Sequence, residues 1–322
     1  MRLIVNFRKP FVALEEALQD AGCTIWRDVW RADDAHQHRI DACLLDFCDA
    51  ARHLRHSWRL ARSFRPLGIA LVGIDRDAPW HKGVRHRRLW LMARLRLLDL
   101  YASHSLQGAH RFAERVLYLP NAARISAYNL GQRNLESLRA ATAYEYDVSF
   151  IGNIDASRYP EHRARVAFLN SLRERLARYS VRLALFDSSG MSTAEQVRLI
   201  QASRINLSVG AAADDEGERS WGLPERCYGV PACGGFLLSD ARRHAADDFV
   251  PGKEWAEYAD ADDCVAKIRH YLARFDEARA IAEAAHARVA AQHTYAQRAT
   301  RLIGAIRDLR ARGAANGSER PR

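Results

Sequence analysis

The sequence predicts an α/β protein made of two doubly wound, Rossmann-like domains facing a central cleft. Three observations carry that expectation. Short apolar runs alternate with longer helical stretches almost from end to end. The alternation stops once, over the polar interval 121–146, and then restarts. A chain of 322 residues, 48% hydrophobic and 27% charged, suits two domains of average size better than one.

The elements follow in order. Strands are predicted at RLIVNF (2–7), CTIWRD (23–28), DACLLDF (41–47), GIALVGI (68–74), LDLYASH (98–104) and ERVLYLP (114–120). Helices fall between most of them, over 10–21, 52–65, 86–97 and 105–113. Continuous apolar runs bounded by helices imply a parallel sheet covered on both faces. After the interval come strands at YDVSFIGN (146–153), VRLALFD (181–187), RINLSVG (204–210) and GGFLLSD (234–240). Helices over 260–274, 276–293 and 295–312 close the chain. The boundaries read from this pattern are an N-terminal domain over 1–145, a C-terminal domain over 146–295, a helix over 296–312 returning to the N-terminal domain, and a disordered tail over 313–322.

Composition narrows the function. No run approaches the roughly 20 uninterrupted apolar residues of a membrane-spanning helix, and MRLIVNFRKP lacks the apolar core of a signal peptide. The six cysteines are scattered with no Cys-x-x-Cys pair, which points to reduced thiols in a cytoplasm. The net charge of +10 attracts polyanions. Much of it lies in RHLRHSWRLARSFR (52–65) and RHRRLWLMARLR (85–96). The second stretch, Arg85 to Arg96, sets Leu89, Trp90, Met92, Ala93 and Leu97 among arginines. Two readings stand side by side: a basic solvated helix face, or a peripheral contact with an anionic membrane surface or lipid substrate. Nucleic acid is disfavoured, because aromatics and basic residues do not alternate as stacking platforms would.

In a doubly wound sheet, ligands sit outside the carboxyl ends of the strands. GLPERCYGVPACGGFLLSD (222–240) follows such a strand. Proline suits the first turn of a helix, predicted here over 224–232. Its free amides and Arg226 would form an anion site for a diphosphate. Gly234 and Gly235 would end the helix before the next strand. An ordinary capped helix is the plainer reading.

ERCYGVPACGGFLLSD (225–240), with the stretch 247–272 and HTYAQRATRLI (293–303), resembles the C-terminal half of bacterial glycosyltransferases related to the spore-maturation protein CgeB. These belong to the glycosyl transferases group 1 set, with the GT-B fold. The family's Arg-x-aromatic-acidic step matches Arg226, Cys227, Tyr228 and Gly229. Its Pro-Gly-x-Glu turn matches Pro251 to Glu254, and its closing His-Thr-Tyr with a later Arg matches His293, Thr294, Tyr295 and Arg298. One departure stands out. Related retaining enzymes carry paired glutamates at the positions of Trp221 and Gly229, so nearby Glu225 or Glu218 would have to take over the ribose or sugar contact.

The resemblance implies transfer of a sugar from a nucleotide-diphosphate sugar to a glycan or to a lipid-linked or envelope acceptor. It implies no metal and no further cofactor. Arg226 would act at the leaving diphosphate, and Glu225 would contact the ribose or sugar. Gly152, Asn153, Arg158, Glu218, Gly222, Leu223, Pro224 and Tyr228 would bind the donor. For an inverting outcome a base is expected after an N-terminal strand, and Asp75 or Asp77 in GIDRDAPWH (73–81) is so placed. His81 and His104 occupy similar positions. A degenerate, non-catalytic nucleotide-sugar or glycan binder is the alternative.

Overall fold

A computed structural model describes residues 1–76, 84–157, 162–210 and 222–318. It divides into two compact units: Met1–Pro120 with the chain from Tyr295 on, and Asn121–Thr294.

The first unit runs β1 (Arg2–Asn6), α1 (Val12–Asp20), β2 (Thr24–Trp26), α2 (Ala32–Gln37), β3 (Ala42–Asp46), α3 (Phe47–Arg52), α4 (Leu54–Phe64), β4 (Ala70–Asp75), α5 (His86–Leu95), β5 (Leu100–Ser103) and β6 (Arg115–Tyr118). Its six strands are parallel, in the order β2-β1-β3-β4-β5-β6. Every residue of β4 is buried, which is why it reads as an apolar run from Ala70 to Ile74. Leu71, Phe47, Phe64, Tyr101 and Phe112 centre the core beneath α3, α4 and α5. Each such side chain contributes roughly 1.5–3 kcal/mol by leaving water.

The second unit runs β7 (Tyr146–Gly152), α6 (Arg163–Ala177), β8 (Leu183–Asp187), α7 (Thr193–Gln201), β9 (Ser203–Ser208), α8 (Arg226–Ala232), β10 (Leu237–Asp240), β11 (Ala256–Tyr258), α9 (Ala261–Ala273) and α10 (Phe275–Gln292). Its five parallel strands are ordered β11-β10-β9-β7-β8. The last helix, α11 (Tyr295–Ser318), belongs to the first unit. There it packs along α1, with Tyr295 edge-on to Phe11 at 5.4 Å and Arg310 paired with Asp41.

The expected α/β architecture of two parallel sheets is therefore present, with local differences. The boundary lies at Pro120, not at residue 145, because the interval 121–146 is tied into the second unit. Ala123 bridges Thr294, Arg133 donates to the Gln201 carbonyl, and Arg139 pairs with Glu283 at 2.5 Å. The helix expected over 105–113 shrinks to a single turn at Ala109–Arg111, since Gly108 is left-handed at φ 63°. The final helix passes Arg312 and runs to Ser318. Residues 319–322 of the expected tail lie outside the described residues.

Candidate active site

The strand order of the second unit reverses between β7 and β9, so a crevice opens there at the carboxyl ends of the strands. A cavity of about 110 Å³ occupies that place. Ser149 and Ile151 of β7, Asn206 and Leu207 of β9, and Gln196 and Ile200 of α7 line one part of it. Glu225, Arg226 and Gly229 at α8, with Ala122, Arg124 and Tyr128, line the rest. The enclosed volume is below the 300–1,000 Å³ of a complete small-molecule site, so it holds only part of a drug-sized ligand.

Arg226 is the first residue of α8, where β9 ends. Its Nε donates to Ser208 Oγ at 3.0 Å, and Nη2 donates to the carbonyls of Val209, at 3.2 Å, and Gly210. Gly210 is left-handed at φ 62°, a conformation few other residues adopt without cost. Three acceptors thus fix one edge of the guanidinium, and Nη1 is left with no hydrogen bond to the described residues. Burial lowers the pKa of Arg226 below the ordinary arginine value. Cys227 and Asp240 oppose that shift, and Arg242 adds to it. Arginine starts so high that it remains a cation at neutral pH. Close by, Arg242 pairs with Asp240 at 3.0 Å, both buried, at the carboxyl end of β10.

The missing glutamate has a physical counterpart. A β-carbon at Gly229 would lie 3.6 Å from the ring of Tyr128, so that ring occupies the space beside the helix. Tyr128 Oη donates to Gln196 Oε1 at 2.7 Å. Burial, followed by the nearby Glu225 and Cys233, raises the Tyr128 pKa, which keeps the phenol protonated. Sequence reasoning missed Tyr128, Gln196 and Arg124. Tyr128 and Arg124 lie in the polar interval read as a linker, and no local pattern marks them.

Of the residues expected at the donor site, Arg226 and Glu225 line the cavity. Tyr228 does not, and that expectation is corrected. It is wholly buried, with its hydroxyl donating to Asp248 Oδ2 at 2.5 Å between Phe249 and His293. The helix begins at Arg226, not Pro224, and spans seven residues. The Cys227 amide bonds the Pro224 carbonyl, so the helix start offers fewer free amides than expected. Leu223 is buried in the core, and its carbonyl accepts from Asn121 Nδ2 at 2.9 Å. Gly222 is left-handed at φ 85° before Pro224. Gly152 ends β7 and Asn153 follows it, neither lining the cavity, and Asn153 Oδ1 accepts from the Asp155 amide at 3.0 Å. Arg158, Glu218 and Trp221 lie outside the described residues.

A family model for glycosyl transferase-like proteins matches residues 124–304, more than half of the chain. The chain belongs to the glycosyl transferase-like family. No curated protein matches it. Among solved structures it is similar to sucrose-phosphate synthase from Thermosynechococcus elongatus, with a TM-score of 0.66 at 12% identity over 97% of this chain and 100% of that one. It is also similar to Anabaena HepE in complex with UDP, with a TM-score of 0.63 at 12% identity over 96% and 100%. For α,α-trehalose 6-phosphate synthase from Burkholderia multivorans the TM-score is 0.58 at 11% identity over 97% and 99%. The likeness is one of fold, that of GT-B glycosyltransferases with two parallel α/β sheets.

In this glycosyl transferase-like chain the motifs behind the family resemblance are largely architectural. His293 Nε2 bonds the Asp248 carbonyl at 2.9 Å, and the His293 carbonyl accepts from the Ala123 amide at 2.8 Å. Arg298 is buried, with Nε donating to the Pro120 carbonyl at 3.0 Å. Glu254 accepts from the Val250 amide at 2.9 Å across a turn in which Gly252 has φ 75°. Gly234, at φ 75°, ends α8 where a β-carbon would strike Leu130 and Leu138 at 2.8 Å.

In the first unit of this glycosyl-transfer enzyme, Asp75 ends β4 but is only 2% exposed, and its carboxylate accepts from Tyr101 Oη at 2.5 Å. The expected base is thus committed to the core, a correction that follows from the pairing of β4 with β5. Asp77 and His81 lie outside the described residues. The sheet has its own switch point between β1 and β3, and a cavity of about 560 Å³ opens there. Asn6, Asp28, Trp30, Asp46, Asp49 and His56 are among its walls. Trp30 lies edge-on to His56 at 4.6 Å.

Proposed function

We propose that the enzyme moves a glycosyl group from a nucleotide-diphosphate sugar to a hydroxyl-bearing glycan or to a lipid-linked, envelope-type acceptor, without a metal ion, as a CgeB-like member of the family. The observation that carries this is Arg226, a guanidinium fixed along one edge at the switch point of the second unit, with no bond from Nη1 to any described residue.

Breaking the anomeric bond builds negative charge on the departing diphosphate. A preplaced cation stabilises that charge without reorganising, which is where most of the rate would come from. Charge-assisted bonds from a planar guanidinium suit phosphate oxygens in number and direction. With glycine at position 229, the Tyr128–Gln196 pair supplies the hydroxyl contact that a carboxylate provides in related enzymes. HepE, similar in fold, is described in complexes with UDP and with UDP-glucose, which supports a donor of this class. For the acceptor, the cavity of the first unit offers Trp30 as an apolar platform. Asp28, Asp46 and Asp49 offer oxygens for sugar hydroxyls.

A thermal-shift screen against UDP-, GDP-, dTDP- and CMP-linked sugars tests the donor site and names its base. The expected result is stabilisation by one nucleotide class, lost in Arg226→Ala, followed by sugar release or transfer to a lipid-linked acceptor. A ligand that raises the melting temperature yet is never cleaved or transferred would mark a binding protein instead.

A further inference from the structure

We infer that α4 and α5 of the first unit form a docking ridge for an anionic phospholipid membrane. This inference is independent of the donor site.

Helix α5 is apolar on two sides. Leu89 and Met92 point inward and are buried in the core. Arg87, Trp90, Leu91, Arg94 and Leu95 recur at the spacing of one helical stripe, and all are exposed. Trp90 is 64% exposed, Leu91 39% and Leu95 40%. A helix that only needed to cover its own core would carry polar residues there. The neighbouring α4 repeats the arrangement: Arg55, Trp58, Arg59 and Arg62 share its outer stripe, and Trp58 is 42% exposed with Arg62 over its ring at 5.4 Å. The two helices pack side by side: Arg88 of α5 donates to the Arg52 carbonyl at the end of α3, just before α4, and Arg65, just after α4, donates to the carbonyl of Arg96, just after α5.

The charge is as one-sided as the exposure. Segments 52–65 and 85–96 contain ten arginines and no acidic residue. That number equals the excess of the whole chain, 49 Lys and Arg over 39 Asp and Glu, so the remainder is electrically balanced. Beyond the helix ends, Arg65 and Arg96 continue into a cavity of about 1030 Å³ that also holds Arg111, Arg115 and Arg312, against only Asp99 and Glu114.

Tryptophan and leucine flanked by arginines match the border between head groups and acyl chains: rings and leucines enter, and guanidinium groups meet phosphates. A second copy of the chain fits poorly, since a two-fold contact would press arginines on arginines. Single-stranded nucleic acid fits poorly too, because leucines offer no stacking face and Arg62 already covers the Trp58 ring.

The test is co-sedimentation of the full chain with vesicles of phosphatidylcholine alone and of phosphatidylcholine mixed with phosphatidylglycerol. Binding is expected only to the mixed vesicles. Two variants, Trp90→Ser/Leu91→Ser/Leu95→Ser and Arg87→Glu/Arg94→Glu, should each reduce it by about tenfold or more. Both should keep the parent melting temperature, since every altered side chain is exposed. The proposal is overturned by equal retention on both vesicle types, by no retention on either, or by undiminished binding of the variants. It is overturned equally if the triple-serine variant abolishes a concentration-dependent dimer, or if the arginine variant releases bound RNA, while vesicles are ignored.

Discussion

The ring of Tyr128 lies 3.6 Å from the point where a β-carbon on Gly229 would stand, and its hydroxyl bonds Gln196 at 2.7 Å. An aromatic residue from the segment before β7 therefore fills the space beside Gly229. Tyr128→Phe keeps the ring and removes the donor. Donor affinity should weaken by about 1 kcal/mol, roughly fivefold, with little change in melting temperature. Isothermal titration with the nucleotide sugar found in the screen measures it, and unchanged affinity would remove Tyr128 from the site.

Arg226 is the test of the leaving-group argument. Arg226→Lys keeps a charge but cannot reach Ser208, Val209 and Gly210 together while still presenting a free donor. A fall in kcat of about 100-fold or more is expected, comparable to the loss of a preorganised donor elsewhere. Steady-state kinetics should show the loss mainly in kcat. A change confined to KM would mean that Arg226 only binds.

Asp75 separates catalysis from structure. Asp75→Asn still offers Tyr101 an acceptor, so transfer should persist. Asp75→Ala removes the acceptor of the buried Tyr101 hydroxyl and should cost about 1–3 kcal/mol in denaturant unfolding. Abolished turnover in a stably folded Asp75→Asn protein would restore the carboxylate as a base.

At Gly152, a β-carbon would sit 2.7 Å from the buried ring of Phe150. Gly152→Ala must shift that ring and should cost about 1–3 kcal/mol. Thermal unfolding checks this, and a stability equal to the parent would show that the strand end has slack.

The thiols set an alkaline limit. Burial pushes Cys227 up to about 11, and Cys233 and Cys264 up to about 12. An unfolded thiol titrates near 8.5. Between those values the folded state holds more protons, so this stability is complete below about pH 8.5 and declines as pH rises through 11 to 12. Urea midpoints should fall between pH 8 and pH 11, and Cys227→Ala should flatten part of the slope.

Much of the architecture could be read from residue order alone. β4 is predicted to within a residue or two because a strand buried on both faces needs an unbroken apolar run. β11, Ala-Glu-Tyr, escapes because its burial alternates over only three residues. α2 and α3, six residues each, are too short to show a helical period.

By itself, then, the sequence determined two parallel sheets, the basic helices and the place of Arg226 after a strand, since apolar runs and a charged residue after β9 are local features. Tertiary structure alone decided which side chains reach the cavity. Cys227 to Ala232 of α8 are all buried, so no periodicity separates the side of Arg226 from that of Tyr228. Tyr128 and Gln196 meet across 68 residues, and only the packing of the interval 121–146 against α7 brings them together.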